Sequence, residues 1–500
     1  MTLDEKIVQV LDSADRMFIA TSVGANPSAA SVFYARDGRD LLFFTFNPTR
    51  KAEQIRINRK VQVAIWPREH NGIRGLQIDG ICTRIDDSQQ QIEARNKILQ
   101  VTKAFQSFMD DPFLSKNKVT GYYRVRPVVT KYVDFHAEKQ FEWREYPQAA
   151  PGGLSAMWHS LRGLLLVWLR ALRAPFFTAT LVPVALGGAV AAWQFNIAGL
   201  ASAWHWPTFW LVMLGAIAAH AGTNLANDYG DHTSRNDERN KTPSPFSGGS
   251  RVIQVGLLAP WQVLAAAMLC FLIAILVGLR LNAALAGAAF ANTPLLWVGI
   301  AGCLLGTAYT LGPYRLSYRG LGEVAVALGF GPIMVLGAHY VMVTNAGMIW
   351  DWRTPLIASI PIALLVMAIV WINQFQDAPA DAASGKHNWV VRLSRHNNQF
   401  EFHSALRVYA MVLGGVYIAV LILLLLAWLS PGFAPPSIAL GFLTVPLAVW
   451  AVKRGTRWHQ QWLAPGADQS RLPYELLPVN AATIALHLFT GTLLVIAFLV

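Results

Sequence analysis

The chain has 500 residues, of which 54% are hydrophobic, and a net charge of +12. Residues 1–150 hold 18 acids and 22 bases, whereas residues 151–500 hold only 11 acids and 19 bases. So long an apolar region excludes a wholly soluble protein, and basic loops at a membrane face explain the positive charge more simply than a nucleic-acid partner. Cys82, Cys270 and Cys303 share no metal-type spacing, which argues against disulfides and a cysteine-ligated metal.

Residues 1–145 have the composition of a soluble α+β domain. The start of the chain lacks the long apolar core of a signal peptide, so we expect this domain to stay in the cytoplasm. Helices are predicted at 2–14, 51–58 and 88–108. Strands are predicted at 17–23, 29–35, 41–46, 61–66, 75–85 and 122–135, between Gly, Asn, Asp and Pro turns. Several short antiparallel strands with few helices predict a small, mostly β barrel.

The order of these strands resembles the split-barrel flavin-binding family related to pyridoxamine 5′-phosphate oxidase. The resemblance covers most of residues 1–135 and rests on Phe18-Ile-Ala-Thr-Ser-Val-Gly, Ser31-Val-Phe-Tyr, Leu42-Phe-Phe-Thr, Thr49-Arg50-Lys51-Ala and Asn58-Arg-Lys-Val-Gln-Val-Ala. It implies that Arg50 and Lys51 contact a flavin phosphate, with a solvated helix start as the equal alternative. Members bind FMN, a deazaflavin, haem or nothing, and the sequence leaves this choice open.

Residues 146–173 connect this domain to a predicted membrane domain at 174–500. Pro, Gly and Ala predict a linker at 146–157, and mixed apolar and Arg positions predict an interfacial helix at 158–173. A bilayer core of about 30 Å needs roughly 20 residues per helical span. Nine spans are predicted, at 174–193, 207–227, 257–279, 294–311, 321–343, 355–376, 405–429, 435–452 and 477–499.

The loop charges predict the orientation of these spans. With a cytoplasmic N-terminus, thirteen Lys and Arg residues fall in the cytoplasmic loops, and only Arg280 and Arg353 fall in the opposite ones. Positive charge collects on the cytoplasmic side. We therefore expect a multi-pass inner-membrane protein with a cytoplasmic N-terminal domain and a C-terminus on the opposite side.

Two acidic clusters follow two of the apolar runs on the same predicted face. Asp228, Asp231 and Asp237 follow the second run, and Asp377 and Asp381 follow the sixth. Bare carboxylates at a membrane edge repel one another and are costly to desolvate. A shared hard cation such as Mg²⁺ removes that cost, and it favours oxygen ligands and phosphate. The alternative is that these residues only terminate membrane helices and face water.

The residues around the second cluster suit an anion. Pro379 and Gly385 predict a helix break that brings backbone amides near it. Lys386 and Arg392 supply cations for a leaving diphosphate.

Residues 160–500 resemble the UbiA superfamily of intramembrane prenyltransferases. Asn227-Asp228-x-x-Asp231 is similar to its first aspartate-rich motif, and Asp377-x-x-x-Asp381-x-x-x-Gly385-Lys386 to its second. The spacing to Asp237 is similar to the 1,4-dihydroxy-2-naphthoate polyprenyltransferase branch. So are the stretches Arg173-Ala-Pro-Phe-Phe-Thr, Gly222-Thr-Asn-Leu-Ala-Asn-Asp-Tyr and Gly312-Pro-Tyr-Arg-Leu-Ser-Tyr-Arg-Gly-Leu-Gly-Glu323.

Arg235 stands where many members of the superfamily have an Asp, and Asp237 instead matches the spacing of the naphthoate branch. Two departures from that branch leave the aromatic acceptor open. Lys386-His-Asn-Trp-Val-Val-Arg392 replaces the usual Gly-Lys-x-Thr-Leu-Ala-x-Arg pattern, and the loop at 242–251 is longer and rich in Pro and Ser.

The resemblance implies a Mg²⁺-dependent transfer of a polyprenyl group from its diphosphate to an aromatic acceptor within the bilayer. The five aspartates Asp228, Asp231, Asp237, Asp377 and Asp381 would hold one or two Mg²⁺ ions. The implied substrate-binding residues are Arg173, Asn224, Asn227, Asn373, Arg315, Arg319, Lys386 and Arg392.

Several of these residues carry a second interpretation. Helix capping is an equal reading for Asn224, Asn227 and Asn373. Arg315 and Arg319 also fit as ordinary positive-inside residues. Glu323 is either the partner of an Arg or part of the acceptor pocket. His220 is interpreted as a packed polar residue in preference to a base.

Other functions remain open at this point. The acceptor could be another aromatic or quinone precursor, such as a 4-hydroxybenzoate. A flavin-dependent quinone oxidoreductase with a membrane anchor would leave the Asp clusters unexplained. An ion-coupled transporter would place its acids near the bilayer midplane, whereas these acids cluster at one face.

Overall fold

The computed structural model describes residues 1–500 except 24–25, 47–48, 68–73, 103–119, 138–139, 147–152, 241–243, 245, 397–398 and 469–470. The side chains of residues 26, 153–160, 238 and 396 also lie outside the description. The chain forms two compact units: Met1–Arg170 with Val252–Ala259, and Ala171–Arg251 with Pro260–Val500. The N-terminal unit therefore includes a segment that is distant in sequence from the rest of it.

The N-terminal unit is a closed antiparallel barrel. Its strands are β1 (Arg16–Val23), β2 (Asn26–Asp37), β3 (Asp40–Phe46), β4 (Lys60–Ile65), β5 (Arg74–Arg84), β6 (Thr120–Asp134) and β7 (Phe141–Glu145). They pair in the order β3-β2-β1-β4-β5-β6-β7. The first part of β6 also pairs with β3, from Leu41 opposite Val125 to Phe46 opposite Thr120. This last ladder closes the sheet on itself.

Alternating burial along the strands fills the barrel. In β1, Met17 and Ile19 are buried while Phe18 is exposed, as expected for a strand with one face toward a core. Three helices accompany the sheet: α1 (Leu3–Asp12), α2 (Arg50–Ile57) and α3 (Ser88–Val101). Thr2 and Glu5 form a capping box at the start of α1, which satisfies two of its free N–H groups.

The predicted mostly β fold is confirmed, with three differences. The sequence gives no clear strand signal for β7. The predicted helix 88–108 ends at Val101 in the structure, and residues 103–108 lie outside the described residues. Helix α4 (Gly153–Ala171) begins inside the predicted linker 146–157, so residues 153–157 are helical. Residues 147–152 of that linker lie outside the description.

The second unit is helical, as predicted. Eight helices of the described chain are long and apolar enough to cross a bilayer. They are α5 (Ala174–Ile197), α6 (Trp206–Thr233), α7 (Pro260–Ala286), α9 (Gly322–Asn345), α10 (Arg353–Ala383), α12 (His403–Leu429), α13 (Pro436–Trp462) and α14 (Leu472–Leu499). Two shorter helices, α8 (Pro294–Ala308) and α11 (Trp389–Ser394), complete the set discussed below.

Helix α8 corresponds to the fourth predicted span. Its 15 residues extend about 22 Å at 1.5 Å per residue, which is less than the hydrocarbon thickness of about 30 Å. The count of nine spans therefore stays a prediction.

Both acidic motifs lie on helices, because α6 and α10 continue past the apolar runs that begin them. Helix α6 ends at Thr233 and carries Asp228 and Asp231 in its last turns. Helix α10 runs through Pro379 and ends at Ala383, so the predicted break at Pro379 is wrong. The break comes later, at Gly385, which has a φ of 79°. There the amide of Lys386 donates to the carbonyl of Asp381 over 2.8 Å and ends the helix in a tight turn.

Candidate active site

The first acidic motif forms a hydrogen-bonded row along one face of α6. Asn227 and Asp231 are one helical turn apart, and the amide of Asn227 donates to Oδ2 of Asp231 over 3.2 Å. The hydroxyl of Tyr318 donates to Oδ1 of Asp231 over 3.0 Å. Arg173 places its Nη2 2.6 Å from Oδ1 of Asp228. Side chains from three separate segments thus meet at this end of α6.

Asp228 keeps one oxygen without a protein partner. The residue is 3% exposed, and its Oδ1 also accepts from the backbone N–H of Ser250 over 3.3 Å. Its Oδ2 is buried and has no hydrogen-bond partner among the described residues. An unpaired buried carboxylate oxygen is costly, so this atom is a natural donor for a bound cation.

The second acidic motif is surrounded by amides. Asn240 donates to Oδ1 of Asp377 over 2.7 Å, and the backbone N–H of Gly248 approaches its Oδ2 at 3.3 Å. Asp381 accepts from Asn236 at 3.0 Å and from Asn388 at 2.7 Å. These donors stabilise the charged carboxylates and fix their orientation.

Lys386 connects the two motifs. Its Nζ lies 3.5 Å from Oδ2 of Asp231 and 3.7 Å from Oδ1 of Asp381. It also lies 5.6 Å from the centre of the Tyr318 ring. Burial opposes the charge of Lys386, but Asp231 and Asp381 outweigh it and hold the pKa of this ammonium well above its usual range. The two predicted clusters therefore do come together, with a protein cation between them.

Asp237 lies in a single helical turn, Asn236–Arg239, that follows α6. It is buried, and burial together with Asp231 and Asp228 raises the pKa of its carboxyl to about 8. Gly249 approaches it with a φ of 72°, and an added Cβ there would lie 2.7 Å from Oδ2 of Asp237. The guanidinium of Arg251 donates to the Asp237 carbonyl. Residues 241–243 and 245, between α6 and α7, lie outside the described residues.

The predicted metal site is only partly preformed. Across the described residues, His, Cys, Asp and Glu side chains form no group of three that is arranged to hold a metal ion. Mg²⁺ is commonly bound through one or two carboxylates, with waters and substrate phosphates filling its other positions. The oxygen-only donors and the unpaired Oδ2 of Asp228 fit that pattern. Mg²⁺ would therefore fit these residues if waters and phosphate oxygens filled its remaining positions.

An apolar cavity of about 340 Å³ opens beside the first motif. Arg173, Asn224 and Asn227 line it at the end beside this motif, and His220 and Asn373 also contribute polar groups. Apolar side chains and glycines, chiefly of α5 to α10, line most of the rest. Along α6 the lining runs from Asn227 back to Val212, which is about 22 Å at 1.5 Å per residue. A long apolar molecule with a polar head matches this shape.

The asparagines of the site are not helix caps. Asn224 and Asn227 lie inside α6, and Asn373 lies inside α10, so the capping alternative is wrong for all three. Asn224 donates to the carbonyl of Leu172 over 3.1 Å, and Asn373 accepts from Asn480 over 2.7 Å. These bonds orient amide groups toward the cavity that all three asparagines line.

Three predicted arginines lie away from the cavity. Arg315, Arg319 and Arg392 are exposed, and none lines it. Arg319 donates to the carbonyl of Pro313 over 2.9 Å. Arg392 donates to the carbonyls of His387 and Arg319, each over 2.7 Å. Arg392 thus joins the loop before α9 to the start of α11, which is a structural contact.

Glu323 fits neither reading that the sequence suggested for it. It is fully buried, and its Oε1 accepts from the backbone N–H of Trp389 over 3.0 Å. It therefore supports the start of α11, next to the segment that carries Lys386, and does not line the cavity.

His220 is a packed polar residue that also lines the cavity. Its Nδ1 is 2.7 Å from the hydroxyl of Thr180. Its ring meets the rings of Phe177 and Phe330 edge-on, with centroids 5.3 and 4.7 Å away. These contacts agree with the interpretation made from the sequence.

The residues that the sequence missed are the partners of the aspartates. They are Asn236, Asn240, Ser250, Tyr318 and Asn388. Asn388 stands in the stretch that departs from the naphthoate branch, and its amide holds Asp381. That departure could have marked it, whereas nothing near Asn236 or Asn240 indicates a partner on α10.

In the N-terminal unit, Arg50 and Lys51 point to different surroundings. Arg50 donates to the carbonyl of Pro27 over 3.1 Å and lies against Gly256. Lys51 is 5.8 Å from the centre of the Phe43 ring, and burial lowers the pKa of its ammonium to about 8. A lysine with a pKa of about 8 is still mostly charged at pH 7, so the contacts of Arg50 and Lys51 with a phosphate stay a prediction.

Two family models match the chain. The UbiA prenyltransferase family matches residues 181–463, which is more than half of the chain. Pyridoxamine 5′-phosphate oxidase matches residues 3–115.

Individual proteins are also similar to the chain. A 1,4-dihydroxy-2-naphthoate octaprenyltransferase of Mycobacterium tuberculosis is 30% identical over 288 residues, covering 57% of this chain and 84% of that protein. A 2-carboxy-1,4-naphthoquinone phytyltransferase of Synechocystis is 27% identical over 329 residues, covering 66% and 91%. A solved heme binding protein of Mycobacterium smegmatis aligns at 16% identity with a TM-score of 0.26, covering 34% of this chain and 74% of its own.

Proposed function

Because this chain belongs to the UbiA prenyltransferase family, we propose that it transfers a polyprenyl group from its diphosphate to 1,4-dihydroxy-2-naphthoate, with Mg²⁺ at the aspartates. The coarser activity follows from the relatives: a multi-pass membrane prenyltransferase of quinone biosynthesis, fused to a pyridoxamine 5′-phosphate oxidase-like barrel. The observation that carries the finer proposal is the meeting of both acidic motifs across Lys386, beside the polar end of an apolar cavity.

The cavity and its polar end divide the substrate between them. The apolar lining takes the prenyl tail, because it offers the tail van der Waals contacts like those in the surrounding lipid. Arg173 and Lys386 lie where a diphosphate would carry negative charge, and both already pair with carboxylates. Oδ2 of Asp228 would hold the cation, and Arg173, which pairs with Oδ1 of the same carboxylate, would remain beside the phosphate oxygens.

Chemistry begins with departure of the diphosphate. Bound Mg²⁺ would act as a Lewis acid that stabilises charge on the leaving group. Arg173 and Lys386 add preorganised positive charge at the same place. The allylic carbon is then attacked by the electron-rich ring of the acceptor, and the ring carboxylate is lost as substitution is completed. The apolar cavity keeps water from quenching the allylic cation.

The naphthoate acceptor is supported by the names of the relatives. Both relatives described above are named for a naphthalene carrying a carboxylate. Membranes containing the protein, labelled prenyl diphosphate and a panel of acceptors test this choice. We expect product with 1,4-dihydroxy-2-naphthoate. Product with 4-hydroxybenzoate alone would replace the acceptor while leaving prenyl transfer intact.

The metal assignment is tested by substitution of the aspartates. We expect Asp228→Asn and Asp377→Asn to lower the transfer rate at least about 100-fold, because each removes charge that positions the cation and diphosphate. Chelation of divalent ions should abolish transfer in the unchanged protein. Asp351→Asn is the matched control, because Asp351 pairs with Arg353 outside the cavity. Full activity of both variants in correctly folded protein, or full activity in chelator, would overturn the metal-diphosphate assignment.

We also propose the arrangement that the loop charges support. The N-terminal domain (1–145) lies in the cytoplasm, and residues 146–173 connect it to the membrane domain (174–500). The C-terminus lies on the opposite side of the inner membrane. Protease protection of a C-terminal tag in sealed spheroplasts tests this arrangement. Cleavage of the tag from outside supports it, and full protection contradicts it.

The family of the N-terminal unit favours a flavin as its ligand. The visible absorption spectrum of the purified full-length chain, after incubation with FMN, tests this proposal. A flavin spectrum that stays with the protein supports it, and a colourless protein contradicts it.

A further inference from the structure

Two glycines line the apolar cavity at different distances from its polar end. Gly329 begins the π-helical turn Gly329–Ile333 of α9, and Gly278 lies in α7. Both line the cavity, and an added Cβ at either position would have no atom within 4 Å. Gly299 of α8 also lines the cavity with no atom within 4 Å of an added Cβ, whereas a Cβ at Gly306 would lie 2.6 Å from the hydroxyl of Thr223. A side chain at Gly329 or Gly278 would therefore project into open space without meeting a neighbouring atom.

Contacts with α6 give the depth of each glycine. Phe330 follows Gly329, and its ring centroid is 4.7 Å from that of His220. His220 is seven residues before Asn227, which is about 10 Å along the helix. Val277 precedes Gly278 and lies 3.0 Å from the Cβ position of Gly215. Gly215 is twelve residues before Asn227, about 18 Å along the helix.

The end of the cavity at Asn227 is the end where charged side chains can bind a charged group. Arg173 lines it and pairs with Asp228, whose buried Oδ2 has no partner in the described part of the chain. A ligand with a charged head is therefore held at this end. Its apolar tail must run past the level of Gly329 before it reaches the level of Gly278.

Resting on the proposed function, we infer that Gly329 and Gly278 set the length of prenyl chain that the enzyme accepts. Gly329 keeps the cavity open near its polar end, and Gly278 keeps it open at its deep end. A side chain at either level blocks tails that extend beyond it and leaves shorter tails unaffected. The unchanged chain therefore also accepts tails long enough to pass both levels.

The test measures kcat/KM with geranyl, farnesyl, geranylgeranyl and solanesyl diphosphate, each with 1,4-dihydroxy-2-naphthoate. In Gly329→Leu, we expect kcat/KM for the three longer diphosphates to fall at least about tenfold relative to geranyl diphosphate. A factor of this size is typical of steric discrimination in apolar pockets. In Gly278→Leu, geranyl and farnesyl diphosphate should be unaffected and solanesyl diphosphate should lose at least about tenfold.

The matched control is Gly414→Leu. Gly414 lies in α12, also has no atom within 4 Å of an added Cβ, and does not line the cavity. All four diphosphates should keep their relative rates in this variant. Leu is a good helix former, so none of the three changes should cost helix stability. Gly329→Ala and Gly278→Ala give milder versions of the same series.

Two results would overturn the inference while leaving prenyl transfer established. In one, both Leu variants lower kcat/KM equally for every diphosphate, although Gly414→Leu does not. In the other, both variants use all four diphosphates as the unchanged protein does. If the unchanged protein transfers no prenyl group from any diphosphate, the proposed function itself fails.

Discussion

At the scale of single residues, the contact between Gly249 and Asp237 controls the position of one carboxylate. Gly249 has a left-handed backbone, with a φ of 72°, and faces Oδ2 of Asp237 at a distance that leaves no room for a Cβ. Its neighbours Gly248 and Ser250 donate backbone N–H groups to Asp377 and Asp228. Residues 248–250 therefore contact carboxylates of both motifs.

We expect Gly249→Ala to lower kcat/KM about 100-fold, because displacement of a catalytic group by about 1 Å can cost that much. Gly466→Ala is the control, since Gly466 has a φ of 77° but no atom within 4 Å of an added Cβ. Both variants bear the strain of a left-handed Ala, and only Gly249→Ala moves Asp237. Prenyl-transfer kinetics of the purified proteins compare them. Equal losses in the two variants would contradict the role of this contact.

The aspartates could be identified from the sequence, but their partners could not. A carboxylate near a membrane edge needs a counter-charge, so Asp228 and Asp381 stand out by residue type alone. The asparagines that hold them are ordinary loop residues in the sequence. Asn236 reaches Asp381 across 145 positions, and no local pattern encodes such a contact. Lys386 was predicted as a phosphate ligand, and the structure adds its pairing with both motifs.

At the scale of elements, the π-helical turn in α9 brings two helices close together. Gly331 lies within the turn, and an added Cβ would overlap the Cβ of Ala363 on α10 and lie 3.0 Å from its Cα. Pro332 follows and has no N–H to donate, so the regular hydrogen-bond ladder is interrupted here. The turn therefore combines a close helix contact at Gly331 with an open cavity wall at Gly329.

We expect Gly331→Ala to destabilise the membrane unit by about 1–3 kcal/mol, the usual cost of overfilling a packed core. Gly329→Ala, two residues away in the same turn, should change stability little because its added methyl meets open space. Thermal unfolding of both variants in detergent measures the difference. A Gly331→Ala protein as stable as Gly329→Ala would show that the two helices separate without cost.

Hydropathy predicted which helices exist but not where they end. The prediction ended the second and sixth spans before the acidic motifs, because charged residues are expected to leave the bilayer. In the structure, Asp231 and Asp381 are satisfied by Tyr318, Lys386 and neighbouring amides, so α6 and α10 continue through them. Tertiary contacts thus remove the local reason for a helix to stop.

At the scale of the whole molecule, the segment Val252–Ala259 ties sequence-distant parts together. It belongs to the N-terminal unit although the chain before and after it belongs to the membrane unit. Val252 and Leu257 are buried, with exposures of 0% and 1%. Residues 1–170 alone therefore do not make up the whole N-terminal unit.

We expect Leu257→Ala to destabilise the N-terminal unit by about 2–5 kcal/mol, as for other buried leucines. Ile92→Ala is the control, because Ile92 lies in the same unit and is 58% exposed. The temperature at which trypsin degrades the N-terminal unit of the full-length protein reports the difference. If both variants are degraded at the same temperature, the segment contributes nothing to that unit.

Composition predicted the two-part organisation, and it also explains why this segment was missed. The contrast in charge on either side of residue 150 is large, so the division into barrel and membrane domains follows from it. Residues 252–259 are apolar, and the sequence prediction began the third span within them, at 257. The structure begins α7 at Pro260. Apolar side chains that bury themselves in protein and in lipid have the same composition, so only the fold distinguishes them.

The membership of Val252–Ala259 in the N-terminal unit also imposes a schedule on synthesis. The barrel strands end at Glu145, more than 100 residues before this segment is made. At about 5–20 residues per second, the ribosome needs roughly 5–20 seconds to make the intervening chain. The first two membrane helices are made in that interval, before all residues of the N-terminal unit exist. Completion of that unit therefore requires that two helices of the membrane unit have already been synthesised.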